Sequence, residues 1–394
     1  MNDLLLRSVT LPDGTRADIQ LSAGRIAAIG EGLTSPGPVE DCGGALVLPG
    51  FVDAHCHVDK TLWGGPWVPH SAAGGLAEVI ANERRRRGEL GIPSPDYIGA
   101  LLDAMITLGT THARSHVDVD PGVGLGGVEA VREALARRKG RIDVELVAFP
   151  QEGLLSKPGT LALLEEAVRS GVENIGGLDP AGIDDDPVGQ LDAVFGIAGR
   201  YGCGVDIHLH DEGPLGAWQF DLIIERTRAL GLAGKVTISH GFGLCGGIPA
   251  QRQEQLVAAM AEQRISLATV APVTRPAPPL RLMAAAGANL ACGNDGVRDL
   301  WSPYGTGDML ERALFLAQGC GFRRDEDIEL ALDAATHGGA RALGLADYGV
   351  AEGSVADLCI VDARVPAEAV AVRPPRRLVV KGGVVVARNG QLAG

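Results

Sequence analysis

The feature that most constrains this chain is an alternation that begins near residue 46. Eight short apolar runs, ALVLPGFVDAHCH, THARSHVDV, IDVELVAFP, ENIGGLD, GVDIHLH, KVTISH, ISLATVAPV and NLACGND, are separated by longer stretches of helical composition. In GGVEAVREALARRKG, GTLALLEEAVRSG and QLDAVFGIAGRYG the apolar residues recur at three and four, and glycine marks the ends, as in helices. Strand followed by helix, eight times over, predicts a (β/α)8 barrel of the TIM type in the α/β class. A doubly wound open sheet is the competing arrangement. No GxxxxGK[ST] turn opens any of the helices, which counts against it.

The two ends read differently. Residues 3–45 and 353–394 contain short strands broken by PDG, AG, KGG and RNG turns. Neither end is large enough to stand comfortably alone, so the expectation is one small β-sandwich built from both termini, residues 1–48 and 344–394, flanking a barrel over 49–343. With 394 residues, 46% of them apolar, the chain can bury a sizeable core. A net charge of -14 argues against a non-specific hold on nucleic acid or anionic lipid. The N-terminus lacks the features of a secretory signal, and no run approaches the roughly 20 apolar residues that cross a bilayer. The seven cysteines form no CxxC pair and fall mostly inside apolar runs, which fits reduced, structural thiols in a cytoplasmic protein.

Catalytic groups of a barrel come from the C-terminal ends of its strands. Seven of the nine histidines, His55, His57, His112, His116, His208, His210 and His240, lie within or at the end of a predicted strand. In GFVDAHCHVDK, residues i and i+2 share a face, so His55 and His57 point into the barrel mouth while Cys56 points away. Two neighbouring imidazoles repel if both are protonated, and a metal ion removes that conflict. His208 ends the fifth run, His240 the sixth and Asp295 the eighth; imidazoles with one carboxylate suit zinc or iron(II) with a position open for water.

That ordered set resembles the amidohydrolase superfamily over essentially the whole chain, split terminal domain included. PGFVDAHCHVDKTL, RSHVDVDP, VAFPQEG, VDIHLHDE, TISHGFGL and GNDGVRDLWSPYGTGDML are, in the same order, similar to stretches of its cytosine deaminase branch. The resemblance implies His55, His57, His208 and Asp295 as metal ligands, with His240 just outside the metal or loosely bound to it. Two-metal members need a bridging lysine or glutamate at the end of strand four; ENIGGLDPAG has no lysine and Glu173 comes too early, so one divalent ion, zinc or iron, is expected.

A divalent metal lowers the pKa of its bound water towards ~7, and Asp295 beside it can take the proton as general base. The branch carries a proton-shuttling glutamate three residues beyond the strand-five histidine. Here that place holds Asp211, with Glu212 next, and either can serve, Asp211 being favoured. His240 can donate to the developing anion. The resemblance assigns Gln151 to substrate recognition. Lys60 either pairs with Asp59 or touches substrate, Trp301 either covers a planar ring or fills core, and His210 either lines the pocket or is structural. His337 is read as structural; His70 and His112 carry no assignment. Where the branch has an acid after the metal-binding aspartate, this chain has Gly296, which takes a polar group from the pocket and counts against cytosine itself.

These readings imply a hydrolase that removes ammonia or an alkylamine from a small cyclic amidine: a pyrimidine, a triazine or a creatinine-like ring. The alternative is a ring-opening hydrolase like hydantoinases and dihydroorotases. A catalytically silent metal-binding scaffold is disfavoured by the carboxylates at 211 and 295. The expected partner is a small molecule, with neither nucleic acid nor membrane, and likeness to assembling relatives implies a homo-oligomer.

Overall fold

The eight apolar runs are eight strands in a computed structural model that describes residues 3–70, 72 and 75–394. The chain opens with β1 (Leu4–Thr10), β2 (Arg16–Ser22), β3 (Arg25–Gly30), β4 (Val39–Asp41) and β5 (Leu46–Pro49). It then enters the barrel with β6 (Phe51–Cys56), β7 (Thr110–Asp118), β8 (Asp143–Phe149), β9 (Asn174–Leu178), β10 (Gly204–Leu209), β11 (Val236–His240), β12 (Ser266–Thr269) and β13 (Asn289–Cys292). These pair in parallel, each with the next in sequence, and helices cover the outside. The chain closes with β14 (Leu358–Val361), β15 (Arg376–Lys381), β16 (Val384–Arg388) and β17 (Gln391–Leu392).

The barrel is sealed just past the end of β13. Asp295 N donates to His55 O at 2.9 Å and His57 N to Asp295 O at 3.3 Å, joining the last strand's exit to the first strand. Gly293 makes this approach possible, since a Cβ there would lie 2.3 Å from His55 O and 2.5 Å from His55 N. Inside, the floor is polar. Arg114 on β7 donates to Asp206 on β10 at 3.0 Å, to Thr237 on β11 at 2.8 Å and to the carbonyl of Ala342 at 2.8 Å, and it also pairs with Glu145 on β8. One buried guanidinium thus cross-links three strands and the chain segment beneath them, all four partners being acceptors.

The two termini form one mixed sheet in the order β17-β16-β15-β14-β5-β1-β2-β3, with β4 on β1. This is the β-sandwich-like domain expected from the termini. It has its own core of Leu4, Leu6, Ile19, Leu21, Ile26, Val47, Ile360 and Val380. Its join is the antiparallel pairing of β5 with β14, Leu46 to Val361 through Pro49 to Leu358. Lys381 ties it to the barrel, 2.8 Å from Asp357 and 3.2 Å from His112 Nε2. His112 is therefore a base-of-barrel residue. His337 packs its ring against Tyr348, remote from the mouth. All seven cysteines are unpaired, and no described helix is long and apolar enough to cross a membrane.

Gly293→Ala should cost about 1–3 kcal/mol, because the added methyl must push two strands apart at the seam. The urea midpoint, compared with that of a surface control such as Gly196→Ala, whose Cβ would meet nothing within 4 Å, checks this.

Candidate active site

The C-terminal ends of the barrel strands surround a cavity of about 720 Å³. Its floor carries His57, His208, His210, His240 and Asp295. His57 Nε2 lies 3.2 Å from His208 Nε2 and 3.4 Å from Asp295 Oδ1, and His55 Nε2 lies 3.6 Å from the same oxygen. Two ligands of a tetrahedral ion with bonds of about 2.0–2.1 Å stand about 3.3–3.4 Å apart, and these three separations lie near that value. His55 Nε2 is buried without a hydrogen-bond partner, the condition of a ligand nitrogen facing a cation. His55, His208 and His240 also bring one nitrogen each within 4.8 Å of one another. The donor set of His55, His57, His208 and Asp295, with His240 alongside, is of the kind that holds a metal ion.

The electrostatics agree. Burial pushes His57, His208 and His240 well below the usual imidazole range, helped by Lys60 and by one another, which leaves them neutral as ligands must be. Burial alone would raise Asp295, yet its contact with His55 and the imidazoles gathered around it hold it well below the usual carboxylate range. Both His240 and Asp295 sit at left-handed backbone, φ 65° and 63°, as strand ends that turn sharply at the mouth.

Below the floor runs a hydrogen-bonded chain. His55 Nδ1 is 2.8 Å from Ser239 Oγ, which donates to Asp206 Oδ1 at 2.6 Å, and Asp206 Oδ2 accepts from Arg114. With Ser239's proton committed to the aspartate, the hydroxyl accepts from Nδ1–H, so Nε2 carries the lone pair. His116 packs on His55 with ring centroids 4.3 Å apart; it is fully buried and both its nitrogens lack partners.

One wall is built around Lys60. Its Nζ is 2.9 Å from Asp118 Oδ1 and 3.9 Å from Glu83 Oε2, bonds to Gln151 Oε1, and lies 5.3 Å from the Trp301 ring and 5.6 Å from the Phe149 ring. The expected Asp59 pairing does not form: Asp59 turns to accept from Asp118 N at 2.9 Å. Surrounding carboxylates raise Lys60 although burial acts the other way, so it stays charged. Trp301 lines the cavity and donates its Nε1 to Glu83, which fixes the indole.

The opposite wall shows where the two carboxylates expected as proton carriers lie. Asp211 turns its carboxylate away to accept from Gln219 Nε2 at 2.8 Å, and Glu212 pairs with Arg275 at the surface; neither lines the cavity. His210 does. Its Nδ1 is 2.8 Å from Asp179 Oδ2, its backbone N donates to Asp179 Oδ1 at 2.6 Å, and its ring lies 4.2 Å from that of His240. Asp179 raises His210 against the effect of burial. β10 ends at Leu209, and the turn that follows carries the Asp211 carboxylate onto Gln219 while His210 stays at the cavity.

The residues that sequence reasoning passed over, Asp206, Ser239, Asp179, Asp118 and Asp299, are all buried. Asp206 and Ser239 had a signal: each is a polar residue inside an apolar run, and Asp206 stands two before His208, on its face.

A parallel barrel whose mouth gathers histidines and an aspartate close enough to hold a metal ion is the architecture of metal-binding hydrolases. The Amidohydrolase family model matches residues 95–387, and the chain belongs to that family, as a hydrolase of carbon–nitrogen bonds. It is 30% identical to N-isopropylammelide isopropyl amidohydrolase of Pseudomonas sp. strain ADP, over 98% of each chain. The crystal structure of N-isopropylammelide isopropylaminohydrolase from Burkholderia multivorans superposes with a TM-score of 0.96 at 45% identity, covering all of both chains. That of 5-methylcytosine deaminase from Klebsiella pneumoniae gives 0.86 at 26% identity, over 98% of each.

Removing the support beneath His55 should loosen the ion. Ser239→Ala and Asp206→Asn are expected to weaken metal binding by about 10–100-fold in competition with a chromogenic chelator. A change below twofold in both would mean that the chain does not position His55.

Proposed function

We propose that this protein is a single-metal aminohydrolase that displaces ammonia or a small alkylamine from an sp2 ring carbon of a triazine or a cytosine-like pyrimidine. What supports the reading is the gathering of His57 Nε2, His208 Nε2 and Asp295 Oδ1, 3.2 Å and 3.4 Å apart, with His55 beside them, at a cavity flanked by a histidine–aspartate pair on one side and a lysine–glutamine pair on the other. The relatives named for N-isopropylammelide and 5-methylcytosine support this substrate class. The seven unpaired cysteines fit a cytoplasmic setting.

A bound divalent cation supplies Lewis acidity, which makes water a nucleophile near neutral pH. The chain's own residues do the rest. Asp295 accepts the proton of the attacking water. His210, held through Nδ1 by Asp179, delivers a proton from Nε2 to the departing nitrogen, in the role the sequence suggested for Asp211. His240 donates to the oxygen that forms at the attacked carbon. Lys60 and Gln151 present a cationic donor and a side-chain amide to the polar edge of the ring. Trp301 and Phe149 supply flat apolar surface for its faces.

Ring opening is the less supported alternative. A bridging ligand at the end of β9 would have to be Asp179, and both its oxygens are engaged by His210. Metal-loaded protein given N-isopropylammelide, cytosine and related rings should release isopropylamine or ammonia and no ring-opened acid. His210→Gln and Asp179→Asn should lower kcat by about 10²–10⁴-fold with metal content unchanged, while Asp211→Ala stays within about fivefold of the parent. Ring-opened product, or a larger loss at Asp211 than at His210, would reverse these assignments.

A further inference from the structure

Directly after Asp295, Gly296 lines the cavity with no side chain of its own. The space is filled from further along the chain. A Cβ at 296 would lie 1.8 Å from Asp299 Oδ2 and 2.8 Å from Asp299 Cγ, so the carboxylate occupies the position that a side chain there would need. Asp299 also lines the cavity and is only 1% exposed. It is held rigidly: Trp301 N and Ser302 N each donate to Oδ1 at 2.8 Å, and Arg298 before it turns the chain at φ 49°. One oxygen is committed to the loop, and Oδ2 is presented over the bare backbone next to the metal ligand.

We propose that Asp299 is a specificity-determining residue of this site, with Oδ2 accepting a hydrogen bond from a ring N–H of the substrate. The inference rests on the aminohydrolase reading above and narrows it. A carboxylate accepts and does not donate, whereas the ammonium of Lys60 on the neighbouring wall donates and does not accept. Together they read a ring that offers a carbonyl or bare nitrogen on one edge and an N–H on the other, the pattern of a lactam-like amidine. A ring alkylated at that nitrogen brings bulk and leaves a buried acceptor unpaired, and sites built around such a bond discriminate strongly against analogues that lack it. Gly296 is the permissive half of the device, since any larger residue displaces Oδ2.

Two variants attack the device from opposite sides. Asp299→Asn keeps an oxygen for the loop and places an amide NH2 over the cavity. Gly296→Ala leaves Asp299 in the chain but pushes its carboxylate aside. Each is compared with the metal-loaded parent for kcat/KM on N-isopropylammelide and cytosine and on their counterparts methylated at a ring nitrogen. Metal content and melting temperature are followed in parallel. The parent should prefer the N–H rings at least about tenfold. Both variants should bring that preference close to unity, chiefly through KM, with metal content unchanged. If Asp299→Asn does not fold, Gly296→Ala decides alone. A parent that turns over the rings without distinguishing N–H from N-methyl, or folded variants that keep the parent's preference, overturns the inference and leaves the aminohydrolase reading standing. A parent that releases amine from no ring in the panel overturns that reading first, and this inference with it.

Discussion

The hydrogen bond between His55 and Ser239 is the contact on which the rest of the mouth depends. An imidazole offers a cation one nitrogen dependably only when the other is occupied by an acceptor. Here the acceptor is a serine hydroxyl whose proton is already committed to Asp206, and Asp206 is anchored by Arg114. Arg114 in turn binds β8, β10, β11 and the Ala342 carbonyl. The orientation of one ring is thus underwritten by much of the barrel floor. The seam at Gly293 adds the other constraint, since the same backbone groups of His55 and His57 that close the barrel set where their side chains begin.

Much of this was legible from the chain. Periodicity located all eight strands, and the i, i+2 rule placed His55 and His57 on one face. The resemblance implied ligands at 208 and 295, which end the fifth and eighth runs, and the structure brings His57 Nε2 within 3.2 Å of His208 Nε2 and 3.4 Å of Asp295 Oδ1. What the sequence did not disclose are contacts that cross between elements distant in the chain. Asp211 looked suitable because a carboxylate three residues past His208 is near in sequence, but the turn after β10 rotates it onto Gln219. His210's suitability depends on Asp179, 31 residues earlier, which no local pattern reveals. Lys60 likewise chose Asp118 over the adjacent Asp59, because neighbours along an extended or tightly turned chain point apart while β6 and β7 lie side by side. The apparent loss at Gly296 is made good by Asp299, a substitution in space that only three-dimensional placement exposes.

The wall around Lys60 illustrates how burial and charge are balanced. Asp59, Glu83, Asp118 and Asp299 cluster near a single ammonium. Burial pushes Asp59 up to about 6 and Asp299 up to about 7. Each rise is an effect of burial that the nearby ammonium opposes, since Lys60 lowers both groups. The site can therefore keep a cationic lysine beside the ring without an uncompensated charge in the interior.

The terminal sheet carries a consequence for biogenesis. Its middle is the pairing of residues 46–49 with 358–361, so the strands of the first 30 residues gain a continuous sheet only when β14, which follows all eight barrel strands, has been made. Until then the N-terminal hairpin, with Ile19 and Leu21 among its apolar side chains, has no C-terminal half to cover it. That pairing therefore has to follow synthesis of the barrel strands, and it brings Lys381 to His112 at the barrel's base.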